Sequence, residues 1–142
     1  MEYIAKIRRG KGKVFKDAFK IRTKVFVEEQ GFVDTPDETD ESCWHIVVYE
    51  KLKPIGCGRM FIVGEGVLHI GRLAVLSEYR GKLVGKCIMQ LCEDQARKLS
   101  ASELELCSQL HAKGFYEKLG FEQEGDVFYE QEQPHIKMVK RL

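Results

Sequence analysis

Arg80, Gly81, Lys82, Leu83, Val84, Gly85 and Lys86 place cationic side chains and two glycines where an apolar helical stripe begins. A glycine-containing turn that leads from a strand into a helix exposes backbone NH groups at the positive end of the helix dipole, and that arrangement binds phosphate. Arg80 and Lys82 add full positive charge, and Gly81 and Gly85 let the backbone come close to a ligand. An ordinary loop with a basic rim has the same composition. Further along, Tyr116 offers a phenolic proton donor, although its place on the apolar face of a short helix also suits core packing. Together the two segments suggest a nucleotide-type cofactor with acid chemistry beside it.

These groups need a scaffold, and the chain has the length of one domain, residues 1–142. Residues 3–7 alternate apolar and polar side chains, as a half-buried strand does. Phe15, Ala18, Phe19, Arg22, Val25 and Phe26 recur at helical steps, which predicts a helix over 14–28. A loop is expected over 31–42. It carries Asp34, Asp37, Glu38, Asp40 and Glu41, which read either as a solvated loop or as a cation-attracting lip. Strands are expected at 44–49, 54–63 and 67–75, in an antiparallel meander. Val84, Cys87, Ile88, Leu91, Cys92, Ala96 and Leu99 mark a helix over 84–99. A short buried strand at 104–106, a helix over 112–119 capped by Gly120, a strand from Phe121 and another at 135–139 complete the order. The result is a mixed α/β domain, with the strands before and after the long helix as parallel neighbours and a ligand crevice at their C-terminal ends.

Composition narrows the function. With 23 basic and 22 acidic side chains the net charge is +1, so no global field gathers nucleic acid or an anionic membrane. No apolar run reaches membrane-span length and no signal-peptide core opens the chain, so a cytoplasmic protein is expected. Cys43, Cys57, Cys87, Cys92 and Cys107 lack the short paired spacings of a zinc site and read as reduced core residues; no metal is expected, Cys43 and His45 being the nearest approach to a ligand pair.

Several spaced motifs in order give a resemblance. Gly71-RLAV-Val75, Arg80-GKLVGK-Lys86 and Gln109-LHAKGFYEKLGF-Phe121, with Arg22, Val25-FVEEQ-Gln30, the acidic segment, His45-IVVYE and Pro134-HIKM, are similar to the GNAT superfamily of acetyl-CoA-dependent N-acetyltransferases, in its ElaA/YjcF-type branch. The likeness covers most of the chain. It implies a mostly antiparallel twisted sheet of about seven strands flanked by helices, with a central splayed parallel strand pair. It implies that Leu73, Ala74 and Val75 offer backbone groups to the pantetheine arm, that residues 80–86 wrap the pyrophosphate, that Gln109 contacts the cofactor, and that Tyr116 protonates the departing CoA thiolate. Leu83 departs from the pattern, standing where the family's turn has its first glycine; if that position has positive φ, strain of about 1 kcal/mol follows.

Acetyl transfer also needs a neutral amine, hence a base. His69 shares a face with Gly71, Leu73 and Val75 if the strand alternates regularly, and it resembles the position where some members keep a Glu or His base. Glu29, His45, Glu130 and His135 are candidates for the acceptor pocket. A phenol near pKa 10 suits proton donation to a thiolate near 8.5 only if a positive environment lowers it or solvent shares the work. The expected function is therefore acetyl transfer from acetyl-CoA to a primary amine, small or lysine-like, by direct attack in a ternary complex. The alternative is an inactive GNAT-fold module that binds acyl-CoA or a protein partner. The C-terminal strands could pair across a homodimer.

Overall fold

The computed structural model describes residues 2–142. Short turns force the antiparallel part of the sheet: β2 (Trp44–Glu50), β3 (Lys53–Gly64) and β4 (Val67–Val75) form a meander, with β1 (Tyr3–Arg9) antiparallel beside β2 at the edge. A helical crossover after β4 lets β5 (Glu103–Gln109) lie parallel to it. β8 (Gln133–Arg141) is antiparallel to β5, and the short β6 (Glu122–Gln123) and β7 (Phe128–Glu130) both pair with β8. The sheet thus has eight strands among the described residues. The one strand expected from Phe121 is two, interrupted at Gly125 with φ 87°.

The two faces of the sheet carry different helices. On one lies α1 (Lys13–Arg22), whose inward stripe Val14, Ala18 and Ile21 is buried over β2 and β3. Beyond Arg22 the expected α-helix widens into a π-helical segment, Thr23–Glu29, closed by Gln30 NH donating to the Val25 carbonyl at 3.0 Å. Widening of this kind is common at functional sites, and here it brings Val25, Phe26, Glu29 and Gln30 to one cleft wall. The expected loop over 31–42 ends in a short helix, α2 (Glu38–Ser42). A capping box starts it: the Asp37 carboxylate accepts from the Asp40 NH, and the Asp40 carboxylate from the Asp37 NH.

On the opposite face lie α3 (Val84–Lys98) and α4 (Lys113–Lys118). Gly56 and Gly58 of β3 let α3 approach: a Cβ at Gly56 would sit 2.6 Å from Val84, and one at Gly58 2.9 Å from Ile88. The core is continuous through the sheet, and Ile46, Val47 and Val48 have no exposed surface at all. Burying both faces in this way supplies the main stabilisation.

The parallel ladder is short. Val67 to Ile70 pair with Glu103 to Leu106, and there the two strands part. At the parting point β4 holds a bulge: Arg59 opposes Gly71 and Cys57 opposes Ala74, so β4 has one extra residue, with Arg72 at φ 51°. A bulge reverses the alternation beyond it. His69 and Gly71 therefore face α1, whereas Leu73 and Val75 face α3; the regular alternation expected for these four residues does not hold.

Candidate active site

Because β4 and β5 diverge after Ile70 and Leu106, a cleft of about 1050 Å³ opens through the sheet. Past the last rung, the inner edge of β4 has no strand partner, so Leu73, Ala74 and Val75 turn backbone groups to the cleft. The cleft reaches both faces of the sheet. Groups from the α3 and α4 side and groups from the α1 side meet across it.

On the α3 side the basic turn has the predicted place. Arg80, Gly81, Leu83, Val84, Gly85 and Lys86 line the cleft, while Lys82 sits outside it with Nζ 5.7 Å from the Tyr79 ring centroid. No side chain caps the first turn of α3, so its NH groups are free for an anion. Leu83 is the helix N-cap in left-handed geometry, φ 65° and ψ 11°, with its side chain 72% exposed. Strain of about 1 kcal/mol follows, and the NH groups beyond it stay available. Gly81, at φ 75°, has open space where a Cβ would stand. Arg80 is already engaged. It donates to both Glu29 carboxylate oxygens at 2.7 and 2.8 Å and through Nε to the Val75 carbonyl at 3.0 Å. The Arg80 hydrogen bonds hold the Glu29 carboxyl below the usual range.

Tyr116 lies on the same side, in edge contact with Phe115 and Phe121, and lines the cleft. Its hydroxyl has no hydrogen-bond partner among the described residues. Burial, and then the neighbouring Cys92, push its pKa up, the opposite of the lowering that proton donation calls for. Tyr116 therefore stays protonated, and its hydroxyl can donate a hydrogen bond. Gln109 closes the β5 wall, donating to the Gln30 side chain at 3.0 Å and meeting His111 at 2.9 Å.

On the α1 side, His69 projects from β4 beside Glu105 of β5, with Nδ1 2.6 Å from Oε2. Glu130 and His135 border the same lobe; Oε2 of the one lies 3.8 Å from Nε2 of the other, and the His135 ring stacks on Phe128. Gln131 bridges to Val33 through both backbone groups, tying the β7–β8 turn to the segment after the π-helix. Arg72 reaches the wall with its guanidinium bound to Asp34.

Two expectations need correction. His45 is fully buried away from the cleft, its Nε2 3.0 Å from the Asp40 carbonyl and its ring against Phe15. Burial depresses its pKa, so it is a neutral packing histidine rather than an acceptor-pocket residue. The acidic segment is neither solvated throughout nor an open lip. Arg22 binds Asp34 and Asp40, Arg59 binds Asp37 and Asp40, and Arg72 binds Asp34. Burial alone would raise the Asp40 carboxyl, but Arg22, the Asp37 backbone and Arg59 hold it at about 2. Asp40, Cys43 and His45 do bring ligand-type atoms within 4.8 Å, yet the Asp40 carboxylate already accepts from two guanidinium groups. Of the cysteines, Cys43, Cys57 and Cys92 are core residues, whereas Cys107 is exposed on the cleft wall.

Glu105, Arg72, Gln30 and Gln131 are the site residues that sequence reasoning misses. For Glu105 a signal existed: a charged residue between Leu104 and Leu106 must point away from the face that buries them. Its meeting with His69 depends on the strand register.

A family model described as an acetyltransferase (GNAT) domain matches residues 36–142. YyaT of Bacillus subtilis is 37% identical over 132 residues, covering 89% of this chain and 88% of that protein. The N-acetyltransferase YjcF of the same organism is 37% identical over 88% of this chain and 91% of its own length. Among solved structures, Escherichia coli ElaA superposes with a TM-score of 0.88 at 23% identity, covering 98% of this chain and 99% of its own. An acyl-CoA N-acyltransferase from Pseudomonas aeruginosa gives 0.87 at 23% identity and the same coverage.

Proposed function

The chain belongs to the GNAT acetyltransferase family, and from that premise we propose that it acts as one domain, residues 1–142, transferring the acetyl group of acetyl-CoA to a primary amine by direct attack. The observation that carries this reading is the through-sheet cleft, with His69 on one face and Tyr116 on the other. Such a site lets the nucleophile approach from the α1 side while the leaving sulfur sits on the α3 side. The residues present suit acetyl-CoA. The free first turn of α3 and the cations Arg80 and Lys86 suit its pyrophosphate, and the unpaired edge of β4 suits the amide-bearing pantetheine arm. The thioester supplies the activated carbonyl.

His69 takes the proton from the ammonium of the acceptor, directly or through one water, and frees the lone pair that attacks. A C–N bond forms, the C–S bond breaks, and the acylated nitrogen gives up its second proton to solvent. The Tyr116 hydroxyl donates a hydrogen bond to the thiolate, and solvent supplies the proton that ends on sulfur, since a phenol pushed up by burial surrenders its own reluctantly. Glu130 and His135 border the acceptor lobe. With Asp34, Asp37 and Asp40 neutralised by arginines, the argument for a cationic acceptor from the acidic segment lapses.

Calorimetric titration with acetyl-CoA, compared with CoA, tests the co-substrate, and a screen of primary amines then tests turnover. Binding at micromolar concentration with acetylation of an amine is expected; absence of binding overturns the reading. The raised pKa of Tyr116 favours a second reading, an acyl-CoA-binding module without turnover. Tyr116→Phe separates the two: an enzyme loses about tenfold in kcat with acetyl-CoA affinity nearly unchanged, while a binding module has no kcat to lose.

A further inference from the structure

His69 and Glu105 are register partners, one rung before the parallel ladder ends. We infer that Glu105 is a positioning residue for His69: it accepts the Nδ1–H, turns the Nε2 lone pair to the cleft, and stabilises the imidazolium formed when Nε2 takes the proton of the attacking amine. The inference rests on the reading of His69 as the base.

Four observations converge on it. The contact between Nδ1 and Oε2 is 2.6 Å, just below the short end of the range for a charge-assisted N–H···O bond, about 2.7–2.9 Å. The Phe61 ring, centroid 5.1 Å away and tilted by 30°, fixes the plane of the imidazole. The His69 Cδ2 edge, which carries the neighbouring Nε2, is the part of the ring nearest Gly71, at 3.9 Å from where a Cβ would stand, so it is aimed along β4 toward the parting of the strands. Finally, Glu105 is itself held: Lys137 Nζ of β8 lies 3.8 Å from Oε1. The His69 and Glu105 side chains are only 20% and 18% exposed, so the pair is shielded, and His69 lines the cleft. Of the other charges on this face, Arg59 is paired with Asp37 and Asp40, Arg72 with Asp34, and Glu130 lies beside His135.

The proton balance is simple. One N–H bond of the acceptor ammonium breaks and one forms at Nε2, the nitrogen sheds its second proton to solvent once the C–N bond has formed, and Glu105 itself takes up no proton. Because Nδ1–H donates to the carboxylate, the resting imidazole must be the Nδ1–H tautomer.

Long-range proton–nitrogen NMR on the labelled full chain reads that tautomer directly, with His69→Gln identifying the signal among four histidines. The expected result is Nδ1–H in the parent protein and a shift toward Nε2–H in Glu105→Leu. Glu105→Gln keeps an oxygen acceptor and should retain Nδ1–H while losing the charge. With acetyl-CoA and the amine found by the screen, His69→Gln should lower kcat by about a hundredfold and Glu105→Leu by about tenfold or more, Glu105→Gln falling between parent and Glu105→Leu, with KM for acetyl-CoA within about twofold. An Nε2–H tautomer in the parent, or a tautomer and kcat both unmoved in Glu105→Leu and Glu105→Gln, overturns the positioning role even if His69→Gln is inactive. If His69→Gln keeps full activity, the base assignment itself falls, and the role of Glu105 with it. Should Glu105→Leu not fold, Glu105→Gln alone decides, since a purely structural role predicts unchanged kcat in its folded fraction.

Discussion

Two clusters of charge sit within this fold and are built in opposite ways. The cluster around Arg22, Asp34, Asp40 and Arg59 is closed: Arg22 and Asp40 are almost wholly buried and each carboxylate is met by guanidinium groups. The groups around the cleft, His69 with Glu105 and Arg80 with Glu29, are partly exposed and each retains a side that faces open space. In the closed cluster, geometry over-determines every partner, so its role is to hold α1, α2, β3 and the β4 bulge in one arrangement. In the open groups the pairs stay partly exposed, which leaves room for further contacts. The local chemistry of the two is similar; what separates them is whether a lone pair or NH remains to be used.

Breaking the closed cluster should have the largest effect. Arg22→Ala leaves Asp34 and Asp40 buried without their main partner, and uncompensated buried charge destabilises by about 3–5 kcal/mol. Urea unfolding should show a midpoint lowered in proportion, or no folded protein. A loss under about 1 kcal/mol would mean that Arg59 and Arg72 can carry the carboxylates alone, and the contrast between closed and open clusters would blur. The strained bulge belongs to this same system: Arg72 occupies φ 51°, where glycine would be easier, and its guanidinium is anchored on Asp34.

Acid should find the same cluster. The Asp40 carboxyl is held at about 2 in the folded protein against an ordinary value of 3.8. A depressed carboxylate contributes stability that is present above the unfolded value and lost as pH falls through the folded one, here between about pH 4 and pH 2. The difference corresponds to about 2 kcal/mol. Asp34 and Asp37 are lowered as well and add to the same window. Stability measured from pH 5 to pH 2 should fall steeply in that interval, and Asp40→Asn should be both less stable at pH 7 and flatter across it.

The same contrast explains what was legible in the sequence. Helical stripes and glycine punctuation place α3, the meander and the basic turn, because local periodicity fixes them. The motif order places Tyr116, Gln109 and residues 73–75 on one cleft. What escapes is whatever depends on non-local register. Five acids between Asp34 and Glu41 look exposed when counted along the chain, but Arg22, Arg59 and Arg72 come from α1, β3 and β4. His69 lies on a different face from Leu73 only because Arg72 is an extra residue in β4. His45, alternating with Val47 and Tyr49, shares their burial, and only the fold shows that α1 covers that face.

Within the cleft, Leu83→Gly sharpens the comparison by relieving strain while leaving the backbone NH groups of the turn in place. Leucine at φ 65° with an exposed side chain gains nothing from packing, so glycine should stabilise the fold by about 0.5–1 kcal/mol, the gain reduced by glycine's greater freedom when unfolded. Thermal unfolding reads the gain. Acetyl-CoA affinity should stay equal or rise, because the NH groups of Val84, Gly85 and Lys86 keep their places.

The smallest effect is expected at the mouth of the cleft, where Arg80 and Glu29 form a bidentate pair. Both side chains are 42% exposed, so the pair itself adds little to stability, and Glu29→Gln should leave the unfolding midpoint nearly unchanged. Its consequence lies in binding. A pyrophosphate reaching Arg80 must either displace Glu29 or accept its negative charge nearby, and the neutral amide removes both obstacles. Acetyl-CoA affinity should rise about two- to threefold at low ionic strength, with the difference shrinking as salt screens the carboxylate. Calorimetry at two salt concentrations measures it. Weaker binding in Glu29→Gln would show instead that Glu29 holds Arg80 in its working position, which would make this pair a closed one like that of Arg22 and Asp40.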